Sequence, residues 1–366
     1  MKFFNPLKVS SKFPICNIPL RLDSYNYCNF NCKYCFSNNR MIGSINEKRT
    51  PNLQWLENKF IKCFDDKDID ESSFLEVLLS DGVTLHGGSI CDCFHYDEDK
   101  YHYTKDIVEL CNNYDLDILW STKSDTYYDV PVNNEHHSFQ LTFTDTKDNP
   151  LETNTPSFTK RYQFYKQLKN EGYNVGIRIQ PYIPNKTDII EIITLFNDAD
   201  HFTIEGIKLV PGNKLNNELL NELNLKKEDF TNMGLLNLKP SLRLHYYKEA
   251  ISYFEDNNLS YSIADNDLHY IGNNKSCCGD KLIKKGLSFS NTSLIKEYGL
   301  NYTIDDVYKN ARKYLKCNCS GLYNSSRRND CKTVKDFYED RFYRKTAIYS
   351  PSFQYTVNQT VLDDYK

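Results

Sequence analysis

The stretch "RLDSYNYCNFNCKYCFSNNR", residues 21–40, places Cys28, Cys32 and Cys35 within eight residues at the spacing C-x3-C-x2-C. It comes directly after the short apolar run "IPLRLD" at 18–23. Asn29, Asn31, Lys33 and Tyr34 stand between the thiols, a polar and aromatic mixture that suits a loop better than a core. A structural zinc site takes four ligands, usually as two separated pairs. Here there are three, and the nearest other cysteines in sequence are Cys16 and Cys63. Three unrelated buried thiols would be the other plain reading, and the polar loop fits it poorly. Thiolates suit iron–sulfur clusters. Three thiolates on a four-iron cluster leave one iron open to a second molecule, which would explain why the set stops at three.

Outward from this loop, strand-like and helix-like segments alternate over the first 210 residues. Six apolar or alternating runs read as strands: 18–23, 83–88, 116–122, 138–144, 174–183 and 201–210. Between them, residues 102–113 carry Ile107, Leu110 and Cys111 on one side of a candidate helix. Thr155 with Pro156 can open a second helix that presents Phe158, Tyr162, Tyr165 and Leu168 and ends at Gly172; Thr187 can open a third. This alternation predicts a parallel sheet with helical crossovers. In a closed or partly closed barrel, function sits at the C-terminal strand ends. The cysteine loop follows the first strand, so it falls at that end. Residues 36–82 read as a polar, partly helical insertion. After about residue 211 the alternation stops, and the sequence predicts a mainly helical, Cys-rich extension over 212–366.

The whole chain has 366 residues, 40% of them hydrophobic and 26% charged, which is ordinary for a globular protein. A formal charge of -4 gives no general attraction to nucleic acid or anionic membranes. The N-terminal residues hold no apolar run of signal-peptide length, and no window approaches the ~18 apolar residues of a membrane span. These features predict a cytoplasmic protein with no membrane partner. Thirteen cysteines, unevenly clustered, favour metal binding in a reducing compartment over a disulfide framework.

The loop resembles the signature of the radical S-adenosylmethionine (SAM) superfamily, C-x3-C-x-Φ-C with Φ aromatic, which Cys28, Cys32, Tyr34 and Cys35 fill. The resemblance covers roughly residues 15–210. It implies an α/β fold, a partial (β/α)6 TIM-like barrel, with a [4Fe-4S] cluster on Cys28, Cys32 and Cys35. It also implies SAM bound at the open iron and cleaved to a 5′-deoxyadenosyl radical that abstracts hydrogen, with an electron donor such as flavodoxin or ferredoxin. Within the superfamily, "LHGGSICDCFHYDEDKY" (85–101), "STKSD" (121–125), "SFQLTFT" (138–144) and "VGIRIQPYIP" (175–184) resemble the spore photoproduct lyase-like branch. That resemblance implies cofactor contacts from Tyr34, Phe36, Gly87, Gly88, Thr122, Lys123, Ser124, Thr142 and Arg178. Read physically, paired glycines at a strand end let backbone approach a ligand, and Lys123 can meet a carboxylate. In the lyase, a cysteine near the second strand end donates hydrogen to the product radical. Cys91 and Cys93 lie in that neighbourhood, off the lyase position, and are the candidates for that catalytic role.

A second group of cysteines is Cys277, Cys278, Cys317, Cys319 and Cys331. If four of them hold a second iron–sulfur cluster, Cys278, Cys317, Cys319 and Cys331 are the expected ligands, with zinc as the alternative metal. Aromatic and basic residues interleave over 336–355, one way to bind a base or a single strand. Three functions follow from these features. The first is a radical SAM enzyme, a lyase or radical transferase, acting on a nucleobase, nucleotide or nucleic acid. The second is a radical SAM enzyme that modifies a peptide or protein through an auxiliary cluster. The third is a non-catalytic iron–sulfur or zinc protein.

Overall fold

The computed structural model describes residues 2–288, apart from 11–15, 38–46, 71–72, 214, 233–234, 266–267, 269–270 and 275, and also residue 301. Eight strands form the central sheet: β1 (Leu7–Val9), β2 (Leu20–Leu22), β3 (Leu85–Gly87), β4 (Ile118–Thr122), β5 (His137–Thr142), β6 (Val175–Tyr182), β7 (His201–Gly206) and β8 (Tyr261–Ile263). Their order in space is their order in the chain. β1 pairs with β2 antiparallel, and every later pairing is parallel. All six predicted strands are present as β2–β7. Parallel neighbours need long crossovers. Except between β4 and β5, where residues 123–136 run through turns, helices supply them. These are α1 (Leu53–Phe60), α2 (Phe74–Ser80), α3 (Tyr103–Asn112), α4 (Phe158–Asn170) and α5 (Ile189–Leu195). The result is the expected partial barrel of α/β type.

Strand periodicity assigns the two faces of the sheet. Leu85, Ile118, Trp120, Phe139, Leu141, Val175, Ile177, Phe202 and Ile204 are buried in one continuous core that also takes Ile107 and Cys111 of α3, Phe164, Tyr165 and Leu168 of α4, and Ile192 and Ile193 of α5. Most alternate positions are polar, Leu119 and Gly176 at the plugged end excepted. His86, Ser121, Gln140, Arg178, Thr203 and Glu205 lie on the concave face, brought level by a register in which Ser121 pairs with Gln140, Thr142 with Arg178, and Arg178 with Thr203.

Two helix starts differ from expectation. α4 is capped by Ser157, whose hydroxyl accepts from the Lys160 N–H, and α5 by Asp188, whose carboxylate accepts from the Glu191 N–H. Each cap lies one or two residues past the predicted threonine. Thr187 is instead a loop brace: its hydroxyl accepts from Ile183 N–H and donates to the Thr144 carbonyl.

Beyond residue 211 the chain is helical in α6 (Leu215–Glu222) and α7 (Pro240–Asp256), as expected, but it is not only helical. Residues 208–209, 236–238 and 230–232 form a small antiparallel sheet, and β8 joins the main sheet beside β7. Residues 276–287 then run across the N-terminal mouth of the barrel. Thr203 Oγ1 donates to the Cys277 carbonyl (3.3 Å), Gln140 Nε2 donates to the Cys278 carbonyl (3.0 Å), and Leu287 exchanges backbone bonds with Gly82 and Thr84. Gly279 adopts φ +91°, and a Cβ there would sit 2.4 Å from the His201 ring, so this close crossing requires glycine. No helix among the described residues is long and apolar enough to cross a membrane.

Candidate functional site

A cavity opens at the C-terminal strand ends, opposite the plugged mouth. Its near wall carries Cys28, Cys32, Tyr34, Cys35 and Phe36 from the loop after β2, Gly88, Cys91 and Asp92 from after β3, and Thr122 and Lys123 from the end of β4. Its far wall carries Thr142, Arg178, Gln180, Glu205, Gly206 and Lys208. The predicted cysteine triplet and most of the predicted cofactor contacts therefore share one space.

The cysteine loop is braced from behind. Lys33 N–H donates to the Leu151 carbonyl (2.8 Å), and the buried Tyr34 hydroxyl donates to the Glu152 carboxylate. Glu152 also accepts from Thr144 Oγ1 (3.0 Å) and pairs with Arg161 Nη2 (3.0 Å), while Arg161 Nη1 donates to the Thr142 carbonyl (3.0 Å). The aromatic residue of the motif is thus tied through a buried ion pair to β5. Burial pushes the Cys28 thiol up, with the Asp92 charge adding to it. Burial also pushes Cys32 up to about 12, although the Lys123 charge pulls the other way. Such thiols stay protonated at neutral pH unless a metal centre stabilises the thiolate.

A single ion needs its donors within about 2.3 Å of one point. Among the described residues, no group of three or more His, Cys, Asp or Glu is gathered for one ion. A four-iron cluster takes each thiolate on a different iron, so three cysteines around one cavity, without convergence on one point, fit it.

Asp92 organises the near wall. Its carboxylate accepts from Lys123 N–H (2.6 Å), Thr122 Oγ1 (2.7 Å) and Phe94 N–H (3.1 Å). These bonds place the Lys123 ammonium 5.7 Å from the centre of the Tyr34 ring. Lys123 has no ion pair among the described residues. Ser124 is buried, outside the cavity lining, in a turn where its N–H donates to Thr122 Oγ1 (2.8 Å). Gly87 also lies outside the lining: a Cβ there would meet the Trp120 ring at 2.1 Å, so this glycine serves core packing. Gly88, at φ +79°, lines the cavity, and a Cβ there would meet the Ser121 carbonyl at 2.4 Å.

The two candidate thiols separate. Cys91 lines the cavity and donates to Asp23 Oδ1 (3.7 Å); Cys93 is fully buried and faces the Leu22 carbonyl (3.9 Å). Burial, reinforced by Cys93 and Asp23, holds the Cys91 thiol well above its ordinary range, so it keeps its hydrogen.

On the concave face, a chain of side-chain bonds runs from β3 to β7. His86 Nε2 meets Ser121 Oγ (2.9 Å), Ser121 Oγ donates to Gln140 Oε1 (3.4 Å), and Arg178 Nη1 donates to the same oxygen (2.7 Å). Arg178 Nε donates to Gln180 Oε1 (2.7 Å), Gln180 bonds Glu205, and Glu205 pairs with Lys208. Asp92, Glu152, Arg161, Gln180, Glu205 and Lys208 were not legible as site residues in the sequence, because single polar residues in or after strands carry no motif. The regular spacing of inward polar positions on β6 and β7 is the one signal that could have found Gln180 and Glu205.

Of the second cysteine group, the described members Cys277 and Cys278 lie at the N-terminal mouth, away from the cavity lining. Cys278 is buried in the plug, with its Sγ 3.8 Å from that of Cys277 and its carbonyl on Gln140. Its expected partners Cys317, Cys319 and Cys331 lie outside the described residues, as does the aromatic and basic segment 336–355.

No protein-family model and no curated protein sequence matches this chain. Among solved structures, it is similar to a spore photoproduct lyase variant with bound AdoMet and dinucleoside spore photoproduct, at TM-score 0.51 and 14% identity over 70% of this chain and 78% of that one. It is also similar to the lyase complexed with dinucleoside spore photoproduct, at TM-score 0.50 and 16% identity over 71% of this chain and 80% of that one. At that identity the likeness shows a shared fold, and the fold is the one the sequence resemblance implied.

Proposed function

We propose that this chain is a radical SAM enzyme that abstracts hydrogen from a nucleobase, nucleotide or nucleic acid. The carrying observation is the near wall: three cysteines, Gly88, Thr122 and a lysine with no ion pair among the described residues face one cavity at the C-terminal strand ends of this fold. Cys28, Cys32 and Cys35 would hold a [4Fe-4S] cluster. When bound and reduced, the cluster supplies the electron that cleaves SAM to methionine and a 5′-deoxyadenosyl radical.

The chain's own residues orient and protect. Lys123, fixed through Asp92, would take the SAM carboxylate, and Gly88 lets backbone approach its amino group. Tyr34, held by Glu152 and Arg161, fixes the cysteine loop, and Phe36 and Thr142 close the sides. Cys91, kept as a neutral thiol, would give its S–H hydrogen atom to the product radical, and one electron from the electron donor and a proton would return the resulting thiyl radical to the thiol. The nucleoside substrate of the lyase structures supports the substrate class. A peptide substrate is the second reading, and deuterium transfer into 5′-deoxyadenosine from labelled dinucleotide or labelled peptide separates the two.

The reading needs one cluster, and an electron donor such as flavodoxin or ferredoxin to reduce it. Its test is SAM cleavage by anaerobically reconstituted protein. Replacing Cys28, Cys32 and Cys35 together with Ala should abolish 5′-deoxyadenosine formation; retained formation would sink the assignment.

A further inference from the structure

Two cations in the cavity, one on each wall, have no carboxylate partner among the described residues. Lys123 stands beside the cysteine loop. Arg178 stands four strands round the sheet from β2, between Gln140 and Gln180. The two fully buried arginines make the contrast clear: Arg161 pairs with Glu152 (3.0 Å) and Arg243 with Asp265 (3.0 Å). Arg178 has no ion pair among the described residues. A half-buried guanidinium without a counter-ion is costly unless an anion meets it when the site is filled.

The geometry of its bonds sharpens this. A guanidinium has five N–H donors. Nε and Nη2 each give one to Gln180 Oε1, and Nη1 gives one to Gln140 Oε1. Three are used, and one N–H on each of Nη1 and Nη2 remains for a ligand. The two carboxamides are themselves fixed. Gln140 Nε2 donates to the Cys278 carbonyl (3.0 Å) and to Thr203 Oγ1 (3.2 Å), and Gln180 is held by Glu205, which Lys208 neutralises. The guanidinium is therefore preorganised, and its loss of freedom is already met before any ligand arrives.

We propose that Arg178 is the substrate's oxyanion receptor: it binds a phosphate or carboxylate group on the molecule that fills the far half of the cavity. The sequence resemblance assigns Arg178 to SAM. Lys123 already stands beside the cysteine loop for the one carboxylate of SAM, and the second cation lies on the opposite wall. The inference rests on the near wall holding SAM, as proposed above. It implies a substrate whose reactive C–H lies close to an anionic group.

The test uses the full-length reconstituted protein, unreduced and saturated with SAM, so that Lys123 is occupied. Binding of inorganic phosphate is read from its 31P line width, and binding of acetate from its methyl proton line. The wild type should broaden at least one line. Arg178→Gln should weaken that binding at least about ten-fold, and Lys123→Met should leave it within about two-fold. SAM affinity should show the converse, falling about ten- to hundred-fold in Lys123→Met and holding in Arg178→Gln. The anion that binds identifies phosphate or carboxylate as the group read. Three results would overturn the proposal: no broadening by the wild type, unchanged broadening in Arg178→Gln, or SAM affinity lost in Arg178→Gln as in Lys123→Met. Wild-type protein that binds the anion but not SAM would overturn the radical SAM reading and leave Arg178 as an oxyanion site.

Discussion

The two mouths of the barrel both carry cysteines, in opposite surroundings. At the C-terminal mouth, Cys28, Cys32 and Cys35 line an open cavity with Lys123 and Asp92 beside them. At the N-terminal mouth, Cys277 and Cys278 sit in a chain segment pressed onto Gln140, Thr203 and His201. The difference lies in what surrounds the thiols of each set. What distinguishes the upper set is space to receive a ligand, with a lysine beside it, Lys123, that has no ion pair among the described residues. The lower set closes the barrel, and its carbonyls do the bonding.

The strongest way to break this comparison is to mutate the two sets in parallel. The triple Ala variant of Cys28, Cys32 and Cys35 should lose SAM cleavage by more than about a thousand-fold. The Cys277→Ala/Cys278→Ala variant should keep SAM cleavage within about two-fold, with a stability loss of about 1–3 kcal/mol from the small cavities left behind. Iron analysis checks both. A fall in iron in the Cys277/Cys278 variant would restore the second metal centre and remove the contrast.

A second test targets the plug. Gly279→Ala puts a methyl group into the His201 ring at a positive φ and should cost about 2–4 kcal/mol, read as a lowered urea midpoint. Gly212 also has a positive φ (+75°), but a methyl group added there would meet no atom within 4 Å. Its Ala variant should cost only about 1 kcal/mol of backbone strain. Equal costs would mean that the crossing over His201 is not tight.

A smaller effect concerns pH. His137 is fully buried on β5 against Trp120, and neither ring nitrogen has a hydrogen-bond partner among the described residues. Burial lowers it to about 3 from an ordinary 6.5. Below pH 6.5 the unfolded chain binds a proton there and the folded chain does not, so this group's contribution falls as pH drops toward 3. His137→Leu removes that penalty. The stability of the variant relative to wild type should therefore rise by up to about 1.4 kcal/mol per pH unit below 6.5. Urea midpoints of both proteins between pH 7 and 5 measure it, and a difference that stays flat with pH would show that His137 is hydrated or paired. Buried His201, also lowered to about 3 by burial, adds a similar slope common to both proteins.

Much of the upper mouth was legible because its signal is local. A cysteine triplet after an apolar strand is one continuous stretch, and strands β2–β7 announce themselves by buried alternation. The far wall was legible only in Thr142 and Arg178, and there by resemblance. Gln180, Glu205 and Lys208 are separated in sequence and are brought together by register, which no single stretch encodes. At Gly87 the need for glycine has a source no single stretch encodes: the Trp120 ring takes the space a Cβ would fill. The crossing of residues 276–287 over the N-terminal mouth was not legible, because two adjacent cysteines and a glycine carry no sign of the sheet they cross. Helix ends moved by one or two residues because Ser157 and Asp188 compete with Thr155 and Thr187 as caps, and tertiary bonds claimed the Thr187 hydroxyl.

The most direct measurement of the central claim is the electron paramagnetic resonance spectrum of the dithionite-reduced, anaerobically reconstituted protein, recorded with and without SAM. A four-iron signal held by Cys28, Cys32 and Cys35, with one iron open to a ligand, should shift when SAM is added. In Lys123→Met the same shift should need a higher SAM concentration. A four-iron signal that SAM leaves unchanged at saturating concentration, or the absence of any cluster signal in the wild type, would contradict the account.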